Sequence, residues 1–441
     1  MMNNIKVRFA PSPTGWMHIG NTRTAVFNWL LAKKLGGKFM LRIDDTDAVR
    51  SKPEYEEAIR DILLWLGLRW DEEARQSART SRYDEVVDEL KKKGRIYPCY
   101  ETAEELEVMR KKLMTQGKPP IYDRSALKLT QEDIARYEKE GRRPHYRFKL
   151  DAGIIEWNDL VRGHIQYDTA NLADPVIIRE DGSYLYHLPS VIDDFDFGIT
   201  HIVRGEDHVT NTAAQIQMFE ALGGVAPQFA HLPLLTGKEG KLSKRLGSLG
   251  VRELRADGIE NMAICAFLAK LGTSEAIEPW DNLGDLAQSL DFSKLGRSQP
   301  KFDEEELKLF NTKVVHQLSF ASVKERIAVT EEFWEAIKGN LTTVKEAEIW
   351  QKICFEKITP VIEDKNLCDK AAEFLRSDLT AENAYREWTN LIKQATGKKG
   401  KDLFHPLRLA LTGLDNGPEL RTLLKFIGYE KAKNRLLGTA A

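Results

Sequence analysis

The stretch V-R-F-A-P-S-P-T-G-W-M-H-I-G-N, Val7 to Asn21, runs through a helical segment into G-G-K-F-M-L-R-I-D-D-T-D, Gly36 to Asp47, and its reading decides the fold. Val7 to Ala10 suits a short buried strand. Pro11 and Pro13 remove backbone donors and Gly15 permits a bend, so the strand cannot continue. His18-Ile19-Gly20-Asn21 opens a helix whose apolar positions Ala25, Val26, Trp29, Leu30 and Ala32 recur at helical spacing. Gly36-Gly37 stops it, and Lys38 to Ile43 reads as a second strand. Strand, turn, helix and strand in this order make a parallel crossover. Its helix N-terminus lies at the carboxyl edge of the sheet, where unpaired N–H groups and the helix dipole favour phosphates. His18 stands there as a donor to a phosphate oxygen, and Gly20 would let a flat base lie on the backbone. An isolated H-x-G equally describes a surface histidine beside a packing glycine.

Composition bounds the rest. A chain of 441 residues holds two to four compact units, and 42% hydrophobic with 30% charged residues describes a soluble globular protein. The formal charge of −2 excludes a general polyanion binder, so an RNA partner would be held by local basic patches and shape. Met1 to Lys6 has no apolar core for a signal peptide, and no apolar run is long enough to span a membrane. Cys99, Cys265, Cys354 and Cys368 show no metal-ligand spacing, which fits reduced thiols in a cytoplasmic protein. A P-loop kinase is excluded because no G-x-x-x-x-G-K-[ST] occurs.

Far downstream, Lys241-Leu242-Ser243-Lys244-Arg245 lies between Gly237 and Gly240 on one side and Gly247 and Gly250 on the other. With the first segment it resembles the paired motifs of class I aminoacyl-tRNA synthetases. The passages R-F-A-P-S-P-T-G, L-R-I-D-D-T-D, H-I-V-R-G-E-D-H and K-L-S-K-R narrow the resemblance to the bacterial glutamyl-tRNA synthetases, over almost the whole chain. The fold it implies is α/β, a Rossmann-like parallel sheet with an α+β insertion, followed by an all-α C-terminal part. The expected divisions are 1–96 and 174–250 for the two catalytic halves and 97–173 for an insertion that grips the tRNA acceptor end. A helical stem-contact region is expected at 251–318 and a helical anticodon-binding domain at 319–441.

Local signals agree with that outline. Ser51 with Glu54 and Thr102 with Glu105 have capping-box spacing, short alternating strands are expected near His145–Leu150 and Gly163–Tyr167, and the sheet is expected to resume near Asp174–Ile178. Some relatives bind zinc in the insertion through three cysteines and a tyrosine. Here only Cys99 remains of the cysteines, with Glu101 where a second would stand, so the four ligands that a structural zinc needs are not on offer and no zinc is expected.

The resemblance also implies the chemistry. ATP, with Mg²⁺ bridging its phosphates, reacts with L-glutamate to give glutamyl-adenylate, and the glutamyl group then passes to the 3′ end of tRNA(Glu). Positioning and charge stabilisation carry such a reaction without a protein nucleophile. His18, Lys241 and Lys244 would be catalytic. Pro11, Thr14, His18, Gly20, Asn21 and Lys244 would hold ATP. Glutamate would contact Arg8, Ala10, Ser12, Asp44, Tyr186, Ser190 and Arg204. The arginines match its side-chain carboxylate, and Asp44 faces the ammonium. Three positions depart from common family patterns: Asn21 replaces a histidine, Asp44 a glutamate and Ser190 an asparagine. The alternative within the family is an enzyme that also or mainly glutamylates tRNA(Gln). Nucleotidylyltransferases and glutamyl-queuosine tRNA synthetases lack the helical C-terminal half, and an RNA-binding paralogue without catalysis would not need His18, Lys244 and Arg204 together. A monomer is the family expectation.

Overall fold

The computed structural model describes residues 5–237, 250–378 and 382–441. They fall into two compact units, one of residues 1–254 with 264–303 and one of residues 255–263 with 304–441.

The first unit is built on a five-stranded parallel sheet. Its strands are β1 (Lys6–Phe9), β2 (Lys38–Ile43), β3 (Glu72–Arg75), β9 (His201–Gly205) and β10 (Gln228–Leu232), in the order β10-β9-β1-β2-β3. From β1 the chain crosses over to β2 on one side, and its later part adds β9 on the other. The carboxyl ends of β1 and β9 therefore flank the point where the winding reverses, the usual crevice for a ligand in such sheets. Helix α1 (Ile19–Lys34) makes the first crossover. It is buried on nearly all sides, because Ala25, Val26, Phe27, Leu30 and Ala32 face apolar neighbours. Val7, Phe39 and Leu41 are fully buried beneath it, and each contributes roughly 1.5–3 kcal/mol by leaving water.

Polar anchors fix α1 lengthwise. Asn28 Nδ2 donates to Val203 O at 3.0 Å, and the buried Arg23 guanidinium donates to Pro233 O at 2.8 Å and Leu271 O at 2.9 Å. The helix therefore cannot slide against the edge where its N-terminus opens.

Helix α2 (Pro53–Trp65) follows β2, and α3 (Thr80–Lys92) follows β3. The Ser51–Glu54 capping box does not form. Pro53 already begins the helix, so Lys52 is the cap residue and makes no side-chain cap bond, while Ser51 Oγ is buried without a partner. The Thr102–Glu105 box does form at α4 (Ala103–Thr115), and a like box at Thr130 and Asp133 opens α5 (Gln131–Lys139).

The inserted region has its own antiparallel sheet, β4 (Ile96–Cys99), β5 (His145–Phe148) and β8 (Val176–Ile178), together with the hairpin β6 (Ile154–Asp159)–β7 (Gly163–Asp168). Here the expectation for Asp174–Ile178 is corrected. That segment pairs with β5 and not with the parallel sheet, which resumes only at β9 after α6 (His187–Asp196). Helix α7 (Val209–Ala221) then links β9 to β10.

The second unit is helical throughout its described residues. Helices Glu331–Ile337, Glu346–Phe355, Lys365–Glu373, Lys401–Thr412 and Leu420–Ile427 share one apolar core. Trp334 and Trp388 are fully buried in it, and their indole N–H groups donate to Leu318 O at 3.2 Å and Ala371 O at 2.9 Å. Helix Glu304–Gln317 belongs to this unit.

Candidate active site

A cavity of about 470 Å³ opens where β1, β2, β9 and β10 end. Its wall contains Arg8, Ala10, Pro11, Ser12 and Thr14 after β1, and His18, Gly20 and Asn21 at the start of α1. Asp44 follows β2, Tyr186 precedes α6, and Arg204 lies on β9. Sequence positions spread over nearly two hundred residues thus meet in one place. Ser190 does not reach it. This serine is buried, and its Oγ lies 3.5 Å from Arg42 Nη2. Lys241 and Lys244 lie outside the described residues. The described chain resumes at Gly250, which bridges His18, while Val251 N–H donates to Met17 O at 3.4 Å.

His18 is the N-cap of α1. Its Nδ1 accepts from Gly20 N–H at 3.1 Å and more loosely from Asn21 N–H at 3.4 Å. An acceptor at Nδ1 places the ring proton on Nε2, and burial holds the imidazole below its ordinary pKa and so neutral. The ring therefore satisfies the helix start with one nitrogen and offers N–H with the other. Gly20 has a structural reason as well, since a Cβ there would lie 3.1 Å from the capping imidazole.

Three buried arginines lie beneath the cavity, and their electrostatics differ. Arg8 donates to Asp194 from Nε at 3.0 Å and Nη2 at 3.3 Å. Arg42 grips both oxygens of Asp44, at 2.6 and 3.0 Å, and reaches Asp194 at 2.7 Å. Burial pushes the Asp194 carboxyl up, but Arg8 and Arg42 outweigh it and hold the group below its ordinary value. Burial lifts Asp44 to about 6 against the pull of Arg42, which leaves it ionised at neutral pH. Two cations and two anions are thus already matched, and Asp44 meets the cavity with its charge shared.

Arg204 has no such match. It donates to Tyr186 Oη at 2.9 Å, Thr212 Oγ1 at 2.7 Å and His231 Nε2 at 3.2 Å, all uncharged groups. Burial depresses its pKa, and His187 and His208 nearby are pushed down to about 4, again chiefly by burial. Among the described residues no carboxylate touches this guanidinium. Because Tyr186 Oη accepts from Arg204, its own proton remains available to a ligand. Sequence reasoning missed Arg42, Thr212, His231 and Asp159. Arg42 stood in plain view within L-R-I-D-D-T-D, whereas the other three are recruited by tertiary contact.

In the insertion, β4–β5 pairing sets Cys99 opposite His145. Ligand atoms of Cys99, Glu101 and His145 lie within 4.8 Å of one another, and His145 Nε2 and Glu101 Oε2 are buried without partners. More metal-binding groups are present than the sequence revealed, which corrects the argument from ligand shortage. The set still does not fit a closed zinc site. It holds one thiol, which burial pushes up to about 12, and the nearby Tyr122 hydroxyl is spent on Glu101 at 2.6 Å. Arg147 adds a fixed cation, 4.1 Å over the Tyr122 ring.

The parallel sheet, its winding reversal and the anion-seeking helix start define the nucleotide-binding core of a class I synthetase. Residues 4–309 match the family described as tRNA synthetases class I (E and Q), catalytic domain, and residues 278–439 match an anticodon binding domain. Glutamate–tRNA ligase 1 of Maricaulis maris is 51% identical over 443 residues, covering 99% of this chain and 100% of its own. Glutamate–tRNA ligase of Azospirillum brasilense is also 51% identical, over 446 residues and the same shares. A crystal structure of a glutamate tRNA ligase from Elizabethkingia meningosepticum, in complex with its amino acid, superposes with a TM-score of 0.82 at 29% identity, covering 98% of both chains. The chain belongs to the glutamate–tRNA ligase family of class I synthetases.

Proposed function

We infer that the chain ligates L-glutamate to the 3′ end of tRNA(Glu) with ATP, through glutamyl-adenylate, in the cytoplasm. The observation that carries the choice of amino acid is Arg204, a buried guanidinium with uncharged partners at the floor of the cavity. An anionic side chain supplies the charge this site lacks. The α-carboxylate of glutamate attacks the α-phosphate of ATP, forming the acyl–phosphate bond as the bond to pyrophosphate breaks. Magnesium arrives with the nucleotide as part of the substrate.

The α1 N-terminus and the Nε2–H of His18 meet phosphate oxygens, acting where negative charge shifts during transfer. Lys241 and Lys244, assigned from sequence, meet the departing pyrophosphate. Arg8 takes part through its pair with Asp194, which fixes the cavity floor beside Arg204. Ala10 and Ser12 line the amino-acid side, with Asp44 toward the ammonium, while Pro11, Thr14, Gly20 and Asn21 line the ATP side. No helix among the described residues is long and apolar enough to cross a membrane.

Charging assays with purified tRNA(Glu) and tRNA(Gln) test the reading, glutamate being transferred to tRNA(Glu) in preference. ATP–pyrophosphate exchange is expected to require tRNA(Glu), because the tRNA end completes the site by induced fit. Robust exchange without tRNA would contradict that order of assembly. For the insertion, metal analysis of the purified protein is expected to find no stoichiometric zinc. One tightly held zinc per chain would show that Cys99, Glu101 and His145 accept an ion despite Arg147.

A further inference from the structure

We propose that Asp159 and His231 are positioning residues for Arg204, which they turn so that two of its N–H groups face the cavity. The proposal rests on the reading of Arg204 as the receptor for the substrate carboxylate.

Asp159 ends β6 and is anchored before it meets the imidazole. Its Oδ1 accepts from the N–H groups of Val161 at 3.0 Å, Arg162 at 2.9 Å and His231 at 3.2 Å. Its Oδ2 lies 2.6 Å from His231 Nδ1. A carboxylate only accepts, so Nδ1 carries the ring proton and Nε2 is bare. The bare Nε2 is what Arg204 needs, because Arg204 Nε–H donates to it at 3.2 Å. The opposite tautomer would set N–H against N–H and force the guanidinium to turn. His231 cannot swing aside. It is fully buried, and its ring stacks on Phe229 at 6.0 Å between centroids and 14° between planes.

The remaining partners complete the orientation. Thr212 Oγ1 lies 3.1 Å from His208 O and 3.0 Å from the bare His231 Nε2, both acceptors for its one proton, and so accepts from Arg204 Nη2, while Tyr186 Oη accepts from Nη1. A guanidinium has five N–H donors. One on each nitrogen is engaged from behind, which leaves one on Nη1 and one on Nη2. That pair is the fork that a carboxylate accepts with both oxygens. A relay from carboxylate to imidazole to guanidinium thus sets the plane in which the substrate is received, with Asp159 and His231 touching no substrate.

The test is tRNA-dependent ATP–pyrophosphate exchange, with separate KM values for glutamate and ATP, on Asp159→Asn, His231→Gln, His231→Ala and Arg204→Gln. In Asp159→Asn the amide oxygen stays with the backbone N–H groups, so its NH₂ faces Nδ1 and selects the wrong tautomer. The glutamate KM is expected to rise about tenfold or more, the loss of one hydrogen bond to a charged group once the guanidinium turns. The ATP KM and Tm should stay near their parent values. His231→Gln keeps an oxygen that can accept from Arg204 and should recover part of what His231→Ala loses. Glutamate KM values within twofold of the parent for Asp159→Asn and His231→Gln, with Arg204→Gln impaired, would overturn the relay and leave the role of Arg204 standing. An unimpaired Arg204→Gln would overturn the underlying reading instead. A common fall in Tm with both KM values raised would reduce the pair to a structural role. If His231→Ala does not fold, the comparison of Asp159→Asn with Arg204→Gln decides alone.

Discussion

Arg204→Gln is expected to lower kcat/KM for glutamate by on the order of 10²-fold or more, and to narrow the preference for glutamate over glutamine. The argument is one of charge matching. Arg8 and Arg42 already face Asp194 and Asp44, whereas Arg204 faces a phenol, a hydroxyl and an imidazole. Glutamate brings the missing anion. Glutamine has the same shape, but its amide turns N–H toward N–H and leaves a buried cation uncompensated. Losing a charge-assisted hydrogen bond in a buried site costs about 1.5–3 kcal/mol, and a site built for one polar group can reject its analogue by roughly 10⁴-fold. The substitution removes a buried charge from a pocket of neutral partners, so the fold should tolerate it. ATP binding should change little, because Arg204 is assigned to the amino acid. The measurement is kcat/KM for both amino acids in parent and variant. If both fall together with their ratio intact, the arginine is structural and another group reads the carboxylate.

The parts of the fold that were legible in sequence are those where local and tertiary preferences agree. Val7 to Ile43 reads correctly because a buried strand, two prolines, a helical stripe and a glycine stop each act within a few residues. Thr102 and Glu105 form their box because nothing else claims the helix start. Ser51 and Glu54 have the same spacing and fail, since Pro53 begins the helix one residue too late for Ser51 to cap it. The strand at Glu72–Arg75 escaped notice because it is a short, polar edge with no apolar alternation. Val176–Ile178 reads as a strand, but its sheet is chosen by pairing with Tyr146 and Arg147, which no local pattern encodes.

The site divides in the same way. Its cavity-lining residues could be named because they sit in contiguous motifs. Their charge states could not, because these depend on which partner each arginine finds across the fold. Arg8 and Arg204 look alike in sequence, yet Asp194 neutralises one and His231 accepts from the other. The cluster in the insertion shows the same limit, since His145 comes to Cys99 only through the register of two antiparallel strands.

His18→Asn is expected to lower the rate of adenylate formation by about 10²- to 10³-fold while leaving Tm close to that of the parent. The two nitrogens of His18 do separate jobs, and this substitution parts them. Nδ1 caps α1 by accepting from Gly20 and Asn21. Asparagine is a favoured cap residue, and its side-chain oxygen can take those same N–H groups, so the helix start should survive. Asparagine keeps an amide N–H, but on a shorter side chain that does not reach the place where the imidazole presents Nε2–H. Its loss removes a donor placed where charge gathers on the phosphates, and nothing in the cap replaces it. His18→Ala should show the same loss of rate together with about 1 kcal/mol of lost stability from the missing cap. Gly20→Ala should lose less rate than either, because its Cβ would press on the imidazole at 3.1 Å without removing it. Single-turnover adenylation and thermal melts on the three variants give the comparison. Near-parent adenylation in His18→Asn, with loss confined to His18→Ala and matched by its Tm, would make His18 a cap and nothing more.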